Sequence, residues 1–190
     1  MMNASTPPVQ TEPSAVFRDD LKGMHAYVVQ DAAGMVKLDA MENPYRLSDA
    51  MQQRLGERLG RVAVNRYPGG VIDTLKQALA NYVDLPSGMQ IMLGNGSDEL
   101  IALIALACNR SDAVILAPEP GFVMYAVSAQ WQGLRYVGVP LQPDFSLDEA
   151  GMCDAITQHR PAVVYLAYPN NPTANAWDPA VMRRIIKAAP

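Results

Sequence analysis

From residue 90 onward the chain alternates between two rhythms of apolar positions. Short runs that are apolar at nearly every position, QIMLG (90–94), DAVILAP (112–118), LRYVGVP (134–140) and AVVYLAY (162–168), predict strands. Between and after them, DELIALIALACN, FVMYAVSAQWQ, LDEAGMCDAITQH and DPAVMRRIIKAA carry apolar residues at three- and four-residue spacing and predict helices. Strands with no polar face, alternating with helices, point to an α/β fold: a parallel sheet covered by helices on both faces. Upstream, an extended stretch (34–45) precedes a helix over LSDAMQQRLGERLG, which Ser48 or Asp49 would start. VNRYPGG breaks regular structure, VIDTLKQALANYV resumes the helical period, and PSGMQ stops it. The polar, proline-bearing N-terminus reads as a loose tail.

Composition narrows the function classes. At 190 residues and 49% hydrophobic content the chain can bury a sizeable core. A net charge of -4 and scattered basic residues argue against a nucleic-acid surface and leave a small molecule as the expected partner. Cys108 and Cys153 match no metal-ligand spacing or disulfide framework, which suits the cytoplasm. No run approaches the ~18 apolar residues of a membrane span, and the N-terminus lacks the apolar core of a signal peptide.

In open parallel sheets the ligand lies beyond the carboxyl ends of the strands, so three loops carry the candidate chemistry. GNGSDEL leads from a strand into a helix through two glycines, a geometry that turns backbone N–H groups toward an anion, phosphate above all. It lacks the third glycine of a dinucleotide site and the Gly-Lys-Ser/Thr ending of a P-loop, and a plain turn with Ser97 or Asp98 capping the helix is the competing reading. In PEPGF, Phe122 stands just past a strand end, placed to stack on a flat ring or to pack in the core. In YPNNPTA, two asparagines sit between prolines that fix an extended backbone. Either can close its own turn, which leaves the other to face a ligand. A phosphate nest, a flat aromatic and a neutral hydrogen-bond donor together suit a phosphorylated aromatic cofactor.

The order RYPGG, GNGSDEL, PGFVMYAVSA, YPNNPTA resembles the pyridoxal-phosphate aminotransferases of fold type I, most closely those acting on histidinol phosphate, from about Leu21 to the end of the chain. The resemblance implies an N-terminal arm with part of a small domain over 21–60 after a tail over 1–20. It also implies the first portion of a cofactor-binding large domain, with an incomplete sheet, over 61–190. The implied cofactor is pyridoxal 5'-phosphate. Asn171 would donate to the ring's phenolic oxygen, Ser97 and Asp98 would bring N–H groups to the phosphate, and Phe122 would stack on the pyridine, where the family often carries tyrosine. Tyr67 would reach the phosphate of a neighbouring subunit, so a homodimer is expected. Tyr27 and Asn43 would fall near the substrate. Ala174 departs from the family, whose motif usually ends in glycine: a permissive backbone would tolerate alanine, and a positive φ would strain it.

The same resemblance shows what the chain lacks. Its lysines are Lys22, Lys37, Lys76 and Lys187, and none has the serine-rich surroundings of the family's covalent cofactor lysine. The aspartate that pairs with the pyridine nitrogen and the substrate-binding arginines lie further along in the family. The expectation is therefore the N-terminal half of a transaminase, inactive alone, with an open sheet edge prone to pairing. The intact enzyme would transfer an amino group between glutamate and a phosphorylated imidazole ketone in histidine synthesis. Related enzymes act on aromatic amino acids, aspartate or phosphothreonine, and a noncatalytic remnant binding a phosphate-bearing ligand is the reading from another class. His25 and His159 read as surface or segment-end residues, and the scattered methionines Met24, Met35, Met41 and Met51 as gap-fillers.

Overall fold

A computed structural model describes residues 16–24, 31, 33–37 and 42–189. Its sheet has three parallel strands: β1 (Val114–Glu119) lies between β2 (Arg135–Pro140) and β3 (Val163–Val164). Val114, Ile115, Leu116 and Ala117 are at most 1% exposed, and the covering helices explain why a strand with no polar face forms here. Ile115 packs with Ala105, Ala129 and Leu134 under α3 (Gly96–Ala107) and α4 (Met124–Gln132). Leu116 packs on the other face with Met152, Ile156 and Ile185 under α5 (Glu149–His159) and α6 (Pro179–Ala188). Each buried isoleucine, leucine or methionine here contributes about 1.5–3 kcal/mol by leaving water.

The topology marks one place on this sheet. α4 leads from β1 to β2 on one face, and α5 leads from β2 back past β1 to β3 on the other, so the strand order reverses between β1 and β3. The carboxyl ends of two strands at such a reversal splay their loops apart and leave a crevice. Pro118 opens it. The carbonyls of Val114 and Leu116 accept from Ala162 and Tyr165, so alternate residues 114, 116 and 118 turn their backbone toward β3. The β1–β3 register ends at Leu116 and Val164, and Pro118, with no N–H to give, falls just past it.

Helix starts follow local chemistry. Asp148 Oδ1 accepts from Gly151 N at 3.0 Å to cap α5, and Asp178 accepts from Ala180 N at 2.7 Å to cap α6, which begins with Pro179. Arg184 of α6 grips Glu149 of α5 through two hydrogen bonds of 2.6 and 2.7 Å, and the guanidinium holds the Glu149 carboxyl below its usual range.

Two expectations are corrected. QIML (90–93) forms no strand, and β3 is two residues long where AVVYLAY predicts more. A strand exists only with a ladder partner; among the described residues, β3 pairs with β1 alone and 90–93 with none. Upstream, Arg18 is tied to α4. Arg18 donates to the carbonyls of Gln130 at 2.7 Å and Trp131 at 3.1 Å, in the last turn of α4.

The described residues divide into two compact units. One comprises residues 16–24 and 93–189, and the other falls within Ala26–Met92. The second unit holds α1 (Asp49–Leu59), capped by Ser48, and α2 (Val71–Tyr82); neither helix has a fully buried residue, and Met51, Leu55, Val71 and Leu75 stay exposed.

Candidate functional site

α3 runs antiparallel to β1, because Ile101 near its start packs with Ala117 while Ala105, a turn later, packs with Ile115. Its N-terminus therefore lies at the carboxyl end of the sheet, with the loops that follow β1 and β3. Gly94 and Gly96 shape the approach. A side chain on Gly94 would come within 2.9 Å of Glu99 and Leu100, and Gly96 takes φ +82, a conformation open to glycine.

Neither Ser97 nor Asp98 caps α3. Glu99 reaches back to the backbone N–H of Asn95 at 2.5 Å, so the acidic side chain is spent on the turn while Ser97 bonds only to its neighbour Asp98, at 3.5 Å. Among the described residues no acceptor receives the N–H of Gly96, Ser97 or Asp98. These are the open donors of a helix start, pointing outward with the positive end of the helix dipole.

The asparagine pair divides its work. Asn170 is 1% exposed; its Nδ2 donates to the carbonyl of Pro120 at 3.1 Å and to Thr173 Oγ1 at 2.8 Å. Its backbone closes the loop, accepting from Ala174 N at 2.8 Å and donating to Asn175 O at 3.0 Å. Asn171, half-buried, makes no hydrogen bond among the described residues. Within this loop Ala174 sits at φ +59.

Phe122 packs edge-on against Tyr125, ring centroids 5.6 Å apart, and Tyr125 stacks on Tyr165 at 4.2 Å. Burial pushes the Tyr165 phenol up to about 12, and its hydroxyl is buried without a partner. On the α4 side of the β1 end, Phe122 also borders an open cleft of about 520 Å³ with Glu119, Pro120, Tyr136 and Pro140. Burial foremost, and then the charge and hydrogen bond of Glu119, hold the Tyr136 phenol well above the ordinary tyrosine value.

Ser97, Asp98, Phe122 and Asn171 thus gather at one end of one sheet. Tyr67 and Asn43 belong to the other unit: Tyr67 is fully exposed, and Asn43 Oδ1 accepts from Tyr45 N at 3.0 Å. Tyr27, like His25, lies outside the described residues. His159 ends α5, its Nδ1 3.3 Å from an Arg135 nitrogen. Sequence reasoning missed Glu99, Asn175 and the carbonyl of Phe145. An acidic side chain four residues after Asn95 was a readable signal for the first; the other two meet only through tertiary structure. Among the described residues no group of His, Cys, Asp and Glu suits a metal, and no helix is long and apolar enough to cross a membrane.

Residues 33–190 match the family described as aminotransferase class I and II. The chain is 61% identical over 185 residues, 97% of its length, to histidinol-phosphate aminotransferase of Acidovorax ebreus, and 61% identical over 91% of its length to that of Polaromonas naphthalenivorans. It spans about half the length of these curated relatives, 50% and 47%. Among solved structures, a putative histidinol-phosphate aminotransferase from Erwinia carotovora aligns with a TM-score of 0.69 and 25% identity over 86% of this chain and 46% of that one. The Sinorhizobium meliloti histidinol-phosphate aminotransferase, solved with pyridoxal-5'-phosphate, aligns with a TM-score of 0.59 and 26% identity over 74% of this chain and 36% of that one. With its partial parallel sheet on the same fold as these enzymes, the chain belongs to the aminotransferase class I and II family.

Proposed function

We propose that this chain forms one wall of the pyridoxal-phosphate site of an aminotransferase that exchanges an amino group between histidinol phosphate and 2-oxoglutarate, in histidine biosynthesis. The observation that carries it is the Asn171 amide, unpaired among the described residues and held beside the crevice by Asn170, whose side-chain N–H groups are taken by Pro120 and Thr173. The residues present fit the group: unclaimed N–H donors at the start of α3 suit a phosphate, a neutral amide suits a phenolic oxygen, and the Phe122 ring borders an open cleft.

When bound, the cofactor supplies an electron-withdrawing ring that stabilises negative charge at the substrate α-carbon. In this reading Ser97 and Asp98 hold its phosphate through backbone N–H groups. Asn171 donates from Nδ2 to the ring oxygen, fixing the ring's rotation about the phosphate anchor. Phe122 covers a ring face and excludes water from it. In the same reading Tyr67, fully exposed in this chain, contacts the phosphate of a second subunit of a cytoplasmic homodimer, and Tyr27 and Asn43 are assigned to substrate binding. Curated relatives named histidinol-phosphate aminotransferase, 50–61% identical over nearly all of this chain, support that substrate.

The test is amino transfer by the full natural chain with competing donors. Histidinol phosphate is expected to exceed phenylalanine, aspartate and phosphothreonine by about 100-fold or more in kcat/KM, the discrimination open to a site that hydrogen-bonds its substrate. Equal rates for all four would overturn the substrate, and no transfer from any of them would overturn the activity.

A further inference from the structure

Asn171 stands in a six-residue loop, Asn170–Asn175, whose two ends are fastened to different loops of the sheet. At one end Asn170 Nδ2 bonds the Pro120 carbonyl, after β1. At the other, Asn175 Nδ2 donates to the Phe145 carbonyl at 2.8 Å, in the connection between β2 and α5. A bridge inside the loop joins the fastenings: Asn170 Nδ2 donates to Thr173 Oγ1 at 2.8 Å, and Thr173 Oγ1 in turn donates to Asn175 Oδ1. Asn171 and Pro172 stand between Asn170 and the bridging Thr173, and Ala174 between Thr173 and Asn175.

The receiving carbonyl is itself built with care. Phe145 adopts φ +63, an unfavourable backbone for a bulky residue. The turn that imposes it is closed on both sides. Phe145 N donates to Gln142 O at 2.8 Å and Gln142 N to Ser146 O at 2.9 Å, while Asp144 Oδ1 accepts from both the backbone and the hydroxyl of Ser146, at 3.0 and 2.6 Å. Trp177, 3% exposed, donates its indole N–H to the same carbonyl at 3.0 Å. One oxygen thus receives two donors, one from the loop's last residue and one from the segment that follows it.

We infer that Asn175 is a positioning residue for Asn171: by tying the loop to the Phe145 carbonyl it sets where the Asn171 amide points, and so sets affinity for the phenolic oxygen of a pyridoxal phosphate. This rests on the proposed role of Asn171. Trp177 alone would hold the segment at Phe145, but it lies beyond Asn175 and leaves the Thr173 bridge without its acceptor. The Asn175 amide serves both, donating to Phe145 and accepting from Thr173.

The test is a double-mutant cycle on the cofactor-free full natural chain, reading the Kd for pyridoxal phosphate by equilibrium dialysis and the amide hydrogen exchange of residues 168–177. Asn171→Ala is expected to weaken binding about 10-fold or more, the worth of a hydrogen bond to a charged acceptor. Asn175→Ala is expected to weaken it about 5-fold and to speed exchange in the loop, yet to cost less than about 2-fold further once Asn171 is alanine. Asn175→Asp keeps the acceptor for Thr173 and replaces the donor to Phe145 with a carboxylate oxygen that the carbonyl repels; it carries the same expectation if the alanine variant does not fold. Equal losses with and without Asn171 would overturn the inference, as would a silent Asn175 beside an effective Asn171. If Asn171→Ala leaves the Kd unchanged, the reading of Asn171 fails first and the inference falls with it.

Discussion

The side-chain amide of Asn170 meets the carbonyl of Pro120, fifty positions earlier in the chain, at 3.1 Å, and so ties the loop after β3 to the loop after β1 where the strand order reverses. This bond closes the base of the crevice, and the adjacent Asn171 makes no hydrogen bond among the described residues. Two identical, adjacent side chains therefore do different work.

That division is measurable. Asn170→Ala strips a buried loop of two side-chain bonds and leaves the Pro120 carbonyl without its donor, a loss of about 2–3 kcal/mol. Asn171→Ala removes no hydrogen bond among the described residues and should change stability by less than about 0.5 kcal/mol. Urea denaturation of the two variants checks the contrast; equal destabilisation would show that both amides are structural.

Ala174 holds φ +59 in the same loop. Of the alternatives open at the level of sequence, tolerance or strain, the backbone is the one that strains an L side chain, by roughly 1–2 kcal/mol. Glycine removes that cost but loosens the unfolded chain by about 0.4–1 kcal/mol. Ala174→Gly should therefore raise stability by about 0.5–1 kcal/mol and leave cofactor affinity unchanged or improved. A lower denaturation midpoint, or weaker binding on titration, would contradict the account.

The legible part of this chain was local. The helical spacing of LDEAGMCDAITQH and DPAVMRRIIKAA announced α5 and α6, and the unbroken apolar run at 113–117 announced a strand covered on both faces, because periodicity and burial pattern depend on residues close in sequence. The crevice was legible too, since the rule about strand ends needs only element order. Partnership was not. QIML reads as apolar a strand as VILA, yet ladder pairing is settled by distant segments. Likewise Asn175 looks like an ordinary loop residue until Phe145, thirty positions away, brings its carbonyl to it. Glu99 in place of Ser97 or Asp98 was a nearer miss, decided by which side chain reached the Asn95 N–H.

Tyr165 yields a prediction in pH. Its hydroxyl is buried without a partner, while its ring stacks on Tyr125. Tyr165→Phe keeps the stack and deletes the unsatisfied group, so it should stabilise the chain by about 1 kcal/mol. Burial raises the folded pKa from 10.0 to about 12, so the unfolded chain gives up this proton first as pH rises. The tyrosine's stabilising share is complete below about pH 10 and is lost as pH climbs through about 12. Denaturation midpoints across pH 9–12 should fall less steeply for the phenylalanine variant; parallel curves would refute this.

Gly138 controls the neighbouring cleft. It pairs with Ala117 in the β1–β2 ladder, and a Cβ there would stand 2.2 Å from Glu119 Cδ. The ladder restrains the backbone, whereas the glutamate tip is flexible and bordered by the open cleft, so in Gly138→Ala the carboxylate is the group that moves. Glu119 adds to the elevation of the Tyr136 phenol through its charge and its hydrogen bond, after burial. Displacing it should bring Tyr136 part of the way down toward ordinary tyrosine titration, with burial keeping the remainder. Glu119→Gln should lower it as well, because it removes the charge without adding the methyl. Ultraviolet difference titration, with Tyr136→Phe to assign the signal among eight tyrosines, reads both. A lowered value in the glutamine variant alone would mean that the carboxylate keeps its place and the backbone yields instead. No change in either would mean that burial alone sets the Tyr136 phenol.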